Sequence, residues 1–338
     1  MPSYISHAIM GNSLYNISAN SSKLFRIPIK KDELQGYSLG ADLSILSPII
    51  KKDPHNYYTQ TFFLNMLKYI KENRLMENSE VMSLLYGHIA HYFFDINAHP
   101  LIFYLDKGCQ KIGSIPSHHL IEGYLSSYLS EKILNKDIMD IKHDYFSNIN
   151  FDEKEIVKLL DTIYGKVYRD SKITRIYKKT LIILRKLESF IKNGTISKKF
   201  LITFSKFSEF MYRNKLEYND LTNETKEIYT NPVTGEKHNE SFLELYYRSI
   251  DMTLDAIIKV NEYLYGNISL SSLEKVFQDL SYDTGVSCSL GKKLLYVRKK
   301  WNWIKFSKNS IIKFKLIMIK NTKNNYLQKC FLKKYPQN

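Results

Sequence analysis

The stretch Tyr86-Gly-His-Ile-Ala-His-Tyr-Phe-Phe-Asp-Ile-Asn-Ala-His-Pro100 places three histidines and one aspartate in otherwise apolar surroundings. Read as a helix, it brings His91 and Asp95, which are four residues apart, onto one face. His99 follows four residues later, and we expect the helix to end there because proline disfavours helical geometry in the residue before it. An apolar core helix does not need imidazoles and a carboxylate along one stripe, so the pattern indicates a metal site.

A second pair of the same kind follows in the sequence. Ser117 is suited to cap a helix in which His118 and Glu122 are four residues apart on one face. Side chains at this spacing lie about 5–6 Å apart at their Cβ atoms, so that both can reach one ion. The sequence therefore predicts that two helices contribute ligands.

The N-terminal part of the chain adds three more residues of ligand type. They are His7, in a helix predicted for residues 1–15, Asp42, in a loop predicted for residues 40–48, and His55. Imidazole and carboxylate are common zinc ligands in proteins that have no cysteine site. Because the whole set is too large for one tetrahedral ion, it suits a cluster of two or three ions. His88 we assign to a supporting or surface position.

Helical periodicity dominates the rest of the chain. Apolar residues recur at helical spacing in several windows, and no window shows sustained period-two alternation. Scarce glycine (13) and proline (8) also favour helices over a turn-rich β fold. We therefore predict an all-α fold, a multi-helix bundle with the metal site between its helices. The other predicted helices cover residues 59–71, 79–99 with Ser79 as N-cap, 153–168, 171–194, 198–215, 241–265 and 271–281.

Composition divides the chain into a body and a tail. An apolar fraction of 44% in 338 residues argues against disorder and is enough for a sizeable core. The tail, residues 291–338, contains fourteen Lys and Arg and no Asp or Glu, so it carries +14 of the formal net charge of +15. We expect residues 1–290 to form one helical domain, nearly neutral, with the ligands in residues 1–122, followed by a basic, aromatic-rich tail.

The tail has three possible roles. Its basic residues, mixed with Trp, Phe and Ile, suit peripheral contact with an anionic membrane surface. They also suit nucleic-acid phosphates, and the third reading is an extension with no partner. Because lysine is paired with apolar runs, we place membrane contact ahead of nucleic acid.

Three sequence features bear on the cellular location of the protein: its cysteines, its first residues and the length of its apolar runs. Three widely spaced cysteines make neither a disulfide framework nor a cysteine zinc site. The first residues do not have the pattern of a signal peptide, and no apolar run is long enough for a membrane span. We expect a cytoplasmic protein, with or without peripheral contact to a membrane.

The ligand order resembles that of a known family. The pattern Asp42…His55…His91-x-x-x-Asp95…His99…His118-x-x-x-Glu122 is similar to that of the zinc-dependent phospholipase C family. Intracellular clostridial-type members share further pieces, such as Met1-Pro-Ser-Tyr-Ile-Ser-His7, Asn231-Pro-Val-Thr-Gly235 and Ser281-Tyr-Asp-Thr-Gly285. The resemblance covers about residues 1–290.

The resemblance implies a reaction and a role for each ligand. The reaction is hydrolysis of a phosphoester, phospholipid or related, by zinc-activated water, with Asp42 as the base or orienting group for that water. Independently of the resemblance, we expect Tyr57, Tyr92 and Phe94 to wall the pocket, because they are near the ligands in sequence. By resemblance, Asp42, His55, His91 and Asp95 hold one zinc, His99, His118 and Glu122 hold a second, and His7 with a bridging Asp95 belongs to a third.

Two alternatives remain open at this stage. Single-strand-specific zinc nucleases share the metal architecture, so the substrate can also be a nucleic acid. In a non-enzymatic reading, the metals are structural and the protein is a helical binding module, because fold and motif alone do not establish turnover.

Overall fold

The computed structural model describes residues 4–19, 24–44, 50, 54–106, 111–112, 115–138, 149–193, 221–291 and 293–297. The predicted helix over residues 198–215 and nearly all of the basic tail lie outside the described residues. Within the described part, no helix combines the length and apolarity needed to cross a membrane.

The described elements are mostly helices, so the all-α prediction is confirmed. The α-helices are α1 (Tyr4–Ala19), α2 (Lys31–Tyr37), α3 (Thr59–Glu72), α4 (Ser79–Leu105), α5 (Ser117–Leu134), α6 (Lys154–Tyr168), α7 (Ile173–Asn193) and α8 (Phe242–Leu264). Short 3₁₀ turns cover Gly40–Ser44, Leu75–Glu77, Leu270–Leu273 and Cys288–Leu290. Two antiparallel hairpins pair β1 (Lys111–Ile112) with β2 (Ile115–Pro116) and β3 (Tyr229–Thr230) with β4 (Lys237–His238).

Helix α4 is the centre of the bundle. Every residue from Val81 to Ile102 is buried, and the helix packs against α1, α2, α5 and α8. A helix that is apolar all round, as this one is apart from its ligand stripe, is stable only when it is enclosed in this way. Its N-cap is Asn78, whose side chain accepts hydrogen bonds from the backbone N–H groups of Glu80 and Val81. Ser79 is the first helical residue, so our assignment of the cap was wrong by one position.

The helix continues beyond the predicted end at His99. It runs through Pro100 to Leu105. Proline has no N–H for the carbonyl group four residues earlier, which here belongs to Ile96. Gly285 packs directly on that carbonyl, because a Cβ at Gly285 would lie 2.4 Å from the Ile96 oxygen and 3.1 Å from Pro100 Cγ. Packing from a distant segment therefore stabilises a turn that the local sequence disfavours.

The segment that carries Gly285 is a compact turn. The predicted helix over residues 271–281 is wrong, because only Leu270–Leu273 forms a 3₁₀ turn there. The Tyr282 backbone N–H donates to the His55 carbonyl at 2.7 Å, and the Ser281 N–H donates to the Val286 carbonyl at 2.8 Å. The bond to His55 is non-local, and the Tyr282 carbonyl also lies 2.7 Å from Nδ1 of His99 on α4. These tertiary contacts outweigh the local helix propensity.

Candidate metal centre

Four of the predicted ligands meet in the interior. Ligand atoms of Asp42, His55, His91 and Asp95 all lie within 4.8 Å of one another, and all four residues are buried. His91 and Asp95 come from α4, Asp42 comes from the 3₁₀ turn Gly40–Ser44, and His55 comes from the turn before α3. The residue 40–48 segment, predicted as a loop, thus contains one tight helical turn that presents Asp42.

Close packing at Gly40 brings Asp42 to α4. Gly40 has a φ of +49°, and a Cβ there would lie 2.6 Å from His91 Cγ. A residue with a side chain would both strain this backbone and collide with the imidazole. The adjacent carbonyl of Ser38 lies 3.2 Å from His91 Nδ1 and can only accept a hydrogen bond. His91 therefore carries its proton on Nδ1 and directs Nε2 at the carboxylates.

The distances within the cluster suit a shared cation. His55 Nε2 lies 2.8 Å from Asp42 Oδ1, and His91 Nε2 lies 3.6 Å from the same oxygen and 3.2 Å from Asp95 Oδ2. Two tetrahedral zinc ligands at about 2.0–2.2 Å from the metal are about 3.4 Å apart. The separations scatter around this value.

His7 joins the cluster from α1. Its Nε2 lies 3.3 Å from Asp95 Oδ1 and 3.9 Å from Asp42 Oδ2. Its ring stacks on His91 at a centroid distance of 4.2 Å, and the Phe94 ring contacts it edge-on at 5.4 Å. Asp95 therefore has one oxygen towards His91 and the other towards His7, which is the arrangement that a bridging carboxylate needs.

His99 and Glu122 form a second group next to the first. His99 Nε2 lies 3.8 Å from Glu122 Oε1, and His99 Nδ1 lies 2.7 Å from the Tyr282 carbonyl oxygen. The charge of Glu122 also raises the pKa of Asp95, after the larger effect of burial. Asp95 and Glu122 thus belong to one region, which α1, α4 and α5 enclose together.

His118, the remaining predicted ligand, contacts a residue that we did not predict. Its Nδ1 lies 3.6 Å from Oδ2 of Asp106, which directly follows α4. The Phe103 ring stacks on His118 at 5.9 Å and contacts His99 edge-on at 5.7 Å. Phe103 therefore contacts the rings of both His118 and His99.

The buried polar atoms of the cluster are suited to bind a cation. His7 Nε2, His91 Nε2, His99 Nε2 and both oxygens of Asp95 are buried and make no hydrogen bond within the described residues. Burial lowers the pKa of His7 to about 4, lowers those of His91 and His99 well below the usual range, and raises that of Asp95 well above it. Unpaired buried donors and acceptors cost free energy. One or more bound cations would satisfy these neutral imidazoles and carboxylates, so the residues present fit zinc.

Two supporting residues were not found from the sequence. Asp106 is seven residues after His99 and on the same side of α4, but the expected helix end at Pro100 hid this spacing. Tyr282 packs its ring on His55 at 5.3 Å and its carbonyl on His99. No local pattern relates Tyr282 to the site, because a backbone carbonyl carries no sequence signal.

Four other residues that we predicted near the site differ in their burial and contacts. His88 is not on the surface: it is buried, bonds to the Leu84 carbonyl through Nδ1 and stacks on Phe62. Phe94 contacts His7, as described above. Tyr92 is buried and donates to the Gln278 carbonyl, whereas Tyr57 is 44% exposed beside His55.

Comparison with known proteins gives one match. A family model described as zinc-dependent phospholipase C matches residues 6–218, which is more than half of the chain and includes every predicted ligand. No curated protein and no solved structure matches the chain significantly. The segment with Tyr282 and Gly285 lies outside the matched region.

Proposed function

The chain belongs to the zinc-dependent phospholipase C family, and we propose that it is a zinc-dependent hydrolase that cleaves the phosphodiester of a phospholipid. The observation that carries this proposal is the buried group of Asp42, His55, His91 and Asp95, whose ligand atoms lie within 4.8 Å of one another. When bound, zinc supplies an activated water and a positive charge next to the phosphoryl oxygens.

Asp42 is the residue that we assign to the attacking water. It and His55 are each 6% exposed, whereas His91 and Asp95 are fully buried, so Asp42 is on the more accessible side of the cluster. Burial raises the pKa of its carboxyl group, and a less acidic carboxylate is a better proton acceptor near neutral pH. Asp42 Oδ1 lies 2.8 Å from His55 and Oδ2 lies 3.9 Å from His7, so we assign the less closely contacted Oδ2 to take a proton from water.

The histidines act as fixed, neutral groups. The carbonyl oxygens of Ser38 and Tyr282 accept from Nδ1 of His91 and His99, so that each imidazole keeps Nε2 directed inward. Partners of this kind set the tautomer and the orientation of a metal-binding histidine. The rings of Tyr282 and Phe94 cover His55 and His7 and keep bulk water from them.

In the proposed reaction, water is added across a P–O bond. The water oxygen bonds to phosphorus, the bond from phosphorus to the glycerol oxygen breaks, and the departing oxygen receives a proton. The products are a diacylglycerol and a phosphorylated headgroup. Two exposed tyrosines that follow His55 in the chain, Tyr57 (44% exposed) and Tyr58 (38% exposed), offer the amphipathic surface that a lipid interface suits.

Charge favours a lipid over a nucleic acid as substrate. Nearly all of the net charge of +15 belongs to residues 291–338, so the body that contains the cluster is close to neutral. Proteins that bind nucleic acids usually surround their site with basic residues. We also propose, from the composition of the tail, that residues 291–338 add peripheral contact with an anionic membrane. A cytoplasmic location is a separate proposal, which rests on three widely spaced cysteines that form no disulfide framework.

The experiment compares substrates on one zinc-loaded preparation. Phosphatidylcholine in mixed micelles is the lipid, a single-stranded oligonucleotide is the alternative, and the released phosphorylated headgroup or nucleotides are quantified. We expect headgroup release that a chelator abolishes and zinc restores. Asp42→Asn should lose at least about 100-fold of this activity, since it removes both a ligand and the proton acceptor.

A matched variant separates chemistry from folding. Asp161→Asn changes a carboxylate that accepts hydrogen bonds from Thr174, on α6 and away from the cluster, and it should retain headgroup release. Nucleotide release without headgroup release would select the nuclease reading. Zinc binding with neither activity would select the non-catalytic reading.

A further inference from the structure

His55 joins the metal centre from a turn, whereas His91 and Asp95 join it from helix α4. The turn covers residues 54–57, directly before α3. Tyr58, which separates the turn from α3, has a φ of +61°, a conformation that residues with a side chain rarely adopt. Side chains on loops are held less precisely than side chains on helices. His55 therefore depends on contacts with other parts of the fold for its position.

Three hydrogen bonds connect this turn to a distant C-terminal segment. The backbone N–H of Tyr282 donates to the His55 carbonyl at 2.7 Å. The hydroxyl of Ser281 donates to Asn56 Oδ1 at 2.6 Å, and Asn56 Nδ2 donates to Asp283 Oδ2 at 2.8 Å. Two consecutive residues of one segment are thus bound to three consecutive residues of the other.

The side chain of Asn56 is at the centre of these bonds. Asn56 is 5% exposed and Asp283 is 8% exposed, so the bond between them lies in the interior. A carboxylate only accepts, which directs the Asn56 amide nitrogen towards Asp283 and its oxygen towards Ser281. Hydrogen bonds to a charged acceptor are stronger than those between neutral groups, and a buried partner left unpaired is costly.

The contacts of His55 show what these bonds hold in place. Its Nε2 lies 2.8 Å from Asp42 Oδ1. Its ring contacts the ring of Tyr282 edge-on at 5.3 Å and that of His91 at 5.8 Å. A shift of the turn would move the imidazole away from the other ligands, because the turn supplies the backbone of His55.

Asp283 is also close enough to the centre for its charge to act there. Burial is the largest cause that raises the pKa of Asp95, and the charge of Asp283 raises it further. Among the described residues, Asp283 is not in the group whose ligand atoms are within reach of one ion. The structure thus gives it no place as a ligand and leaves two routes to the centre, its bond with Asn56 and its charge.

We propose that Asn56 and Asp283 are positioning residues, which hold His55 at the metal through the bond between their side chains. The proposal rests on the zinc centre of the proposed function and deepens it by naming the groups that fix one ligand. Asp283 lies beyond residues 6–218, the region that the family model matches.

The experiment measures zinc affinity on the full-length chain. Stepwise dissociation constants come from competition with a chromophoric chelator at one pH, and His55→Ala identifies the step that belongs to His55. Asn56→Ala removes the donor and leaves the charge of Asp283, whereas Asp283→Ala removes the acceptor. We expect both variants to weaken this step at least about 10-fold, as the loss of an orienting partner does.

A reversed pair separates the bond from the charge. Asn56→Asp/Asp283→Asn exchanges donor and acceptor and keeps both the net charge and an oxygen for Ser281. It should bind this zinc more tightly than either alanine variant, because the two changes compensate each other. If an alanine variant does not fold, the reversed pair decides alone, with an expected loss of less than about 10-fold.

Thr59→Val is the matched control. The Thr59 hydroxyl donates to Asp279 Oδ1 at 3.1 Å and to the Leu280 carbonyl at 3.0 Å, so it joins the same two parts of the chain from within α3. Thr59→Val should lower the melting temperature of the metal-free protein and leave zinc affinity unchanged. Circular dichroism checks that each metal-free variant is folded.

Three results would overturn the proposal. They are a loss of less than about 10-fold in folded Asn56→Ala, a reversed pair that binds no more tightly than the alanine variants, and a loss in Thr59→Val as large as that in Asn56→Ala. Headgroup release is measured separately on the native chain. If the zinc affinities are as expected but no phosphodiester is hydrolysed, the proposed function is contradicted and the assignment of Asn56 and Asp283 remains.

Discussion

Nδ1 of His99 lies 2.7 Å from the carbonyl oxygen of Tyr282, although the two residues are 183 positions apart in the chain. Because a carbonyl only accepts, His99 carries its proton on Nδ1 and presents Nε2 towards Glu122, 3.8 Å away. Tyr282 lies beyond the region that the family model matches. A C-terminal segment therefore positions a predicted ligand in the centre of the site.

Gly285 provides the first prediction. Its φ is +67°, and an added Cβ would lie 2.4 Å from the Ile96 oxygen. Gly285→Ala should lower the free energy of unfolding by about 2–4 kcal/mol, because the turn must move away from α4. The same movement should withdraw the Tyr282 carbonyl from His99 and weaken zinc binding. Denaturant unfolding and zinc titration measure the two effects.

Gly266 is the matched control for this change. It also has a positive φ, +88°, but nothing lies within 4 Å of an added Cβ. Gly266→Ala should therefore cost only about 1 kcal/mol, from backbone strain, and leave zinc affinity unchanged. Equal losses of stability and affinity in the two variants would show that the contact with Ile96 has no part in the site.

Asp95 provides the second prediction, in which stability depends on the metal. Its carboxylate is fully buried next to His7 and His91, and burial raises its pKa well above the usual range. Asp95→Asn removes this unfavourable charge, so the metal-free variant should be at least as stable as the native chain. With zinc the native chain should gain about 4 kcal/mol at a free concentration of 1,000 Kd, and the variant much less.

Thermal unfolding with and without zinc measures this difference. Asp161→Asn is the control, because it weakens the hydrogen bonds that Thr174 donates to this carboxylate and should change stability equally in both conditions. The prediction is wrong if Asp95→Asn destabilises the metal-free protein and leaves the zinc-induced increase intact.

His88 provides the third prediction, a pH dependence unrelated to metal. Burial lowers the pKa of His88 from 6.5 to about 4. Above pH 6.5 the imidazole is neutral in both states and the shift has no effect. As the pH falls below 6.5 the unfolded chain takes up a proton that the folded chain excludes, so stability decreases until about pH 4.

The variant His88→Gln tests this dependence. Glutamine cannot titrate, and its amide can still donate to the Leu84 carbonyl. Between pH 7 and pH 5 the metal-free native chain should lose about 2 kcal/mol more than the variant. Identical losses in denaturant unfolding at the two pH values would contradict the assignment of His88 as a buried, neutral residue.

The sequence predicted the parts of this site that have a helical period. His91 and Asp95 were found because spacing by four on a buried helix places both side chains on one side, and the structure brings them together with Asp42 and His55. Local propensity also placed most helices, including α8, whose Ser241 cap forms a capping box with Glu244.

The remaining features depend on contacts that no window of sequence contains. Pro100 predicts a helix end, but packing by Gly285 stabilises a longer helix and so brings Asp106 onto the side of α4 that carries His99. The turn over residues 281–285 is fixed in place by bonds of Tyr282 to the His55 carbonyl and to His99 of α4, which no local periodicity reports. Substrate choice depends in the same way on surfaces that assemble only in the folded chain.

Anomalous diffraction at the zinc absorption edge, from crystals of the zinc-loaded chain, tests the central claim most directly. The account predicts a peak about 2.0–2.2 Å from the nearest side-chain atoms of Asp42, His55, His91 and Asp95. A second peak is expected between His99 and Glu122. Well-ordered side chains at these positions with no zinc peak among them, in crystals grown with zinc, would contradict it.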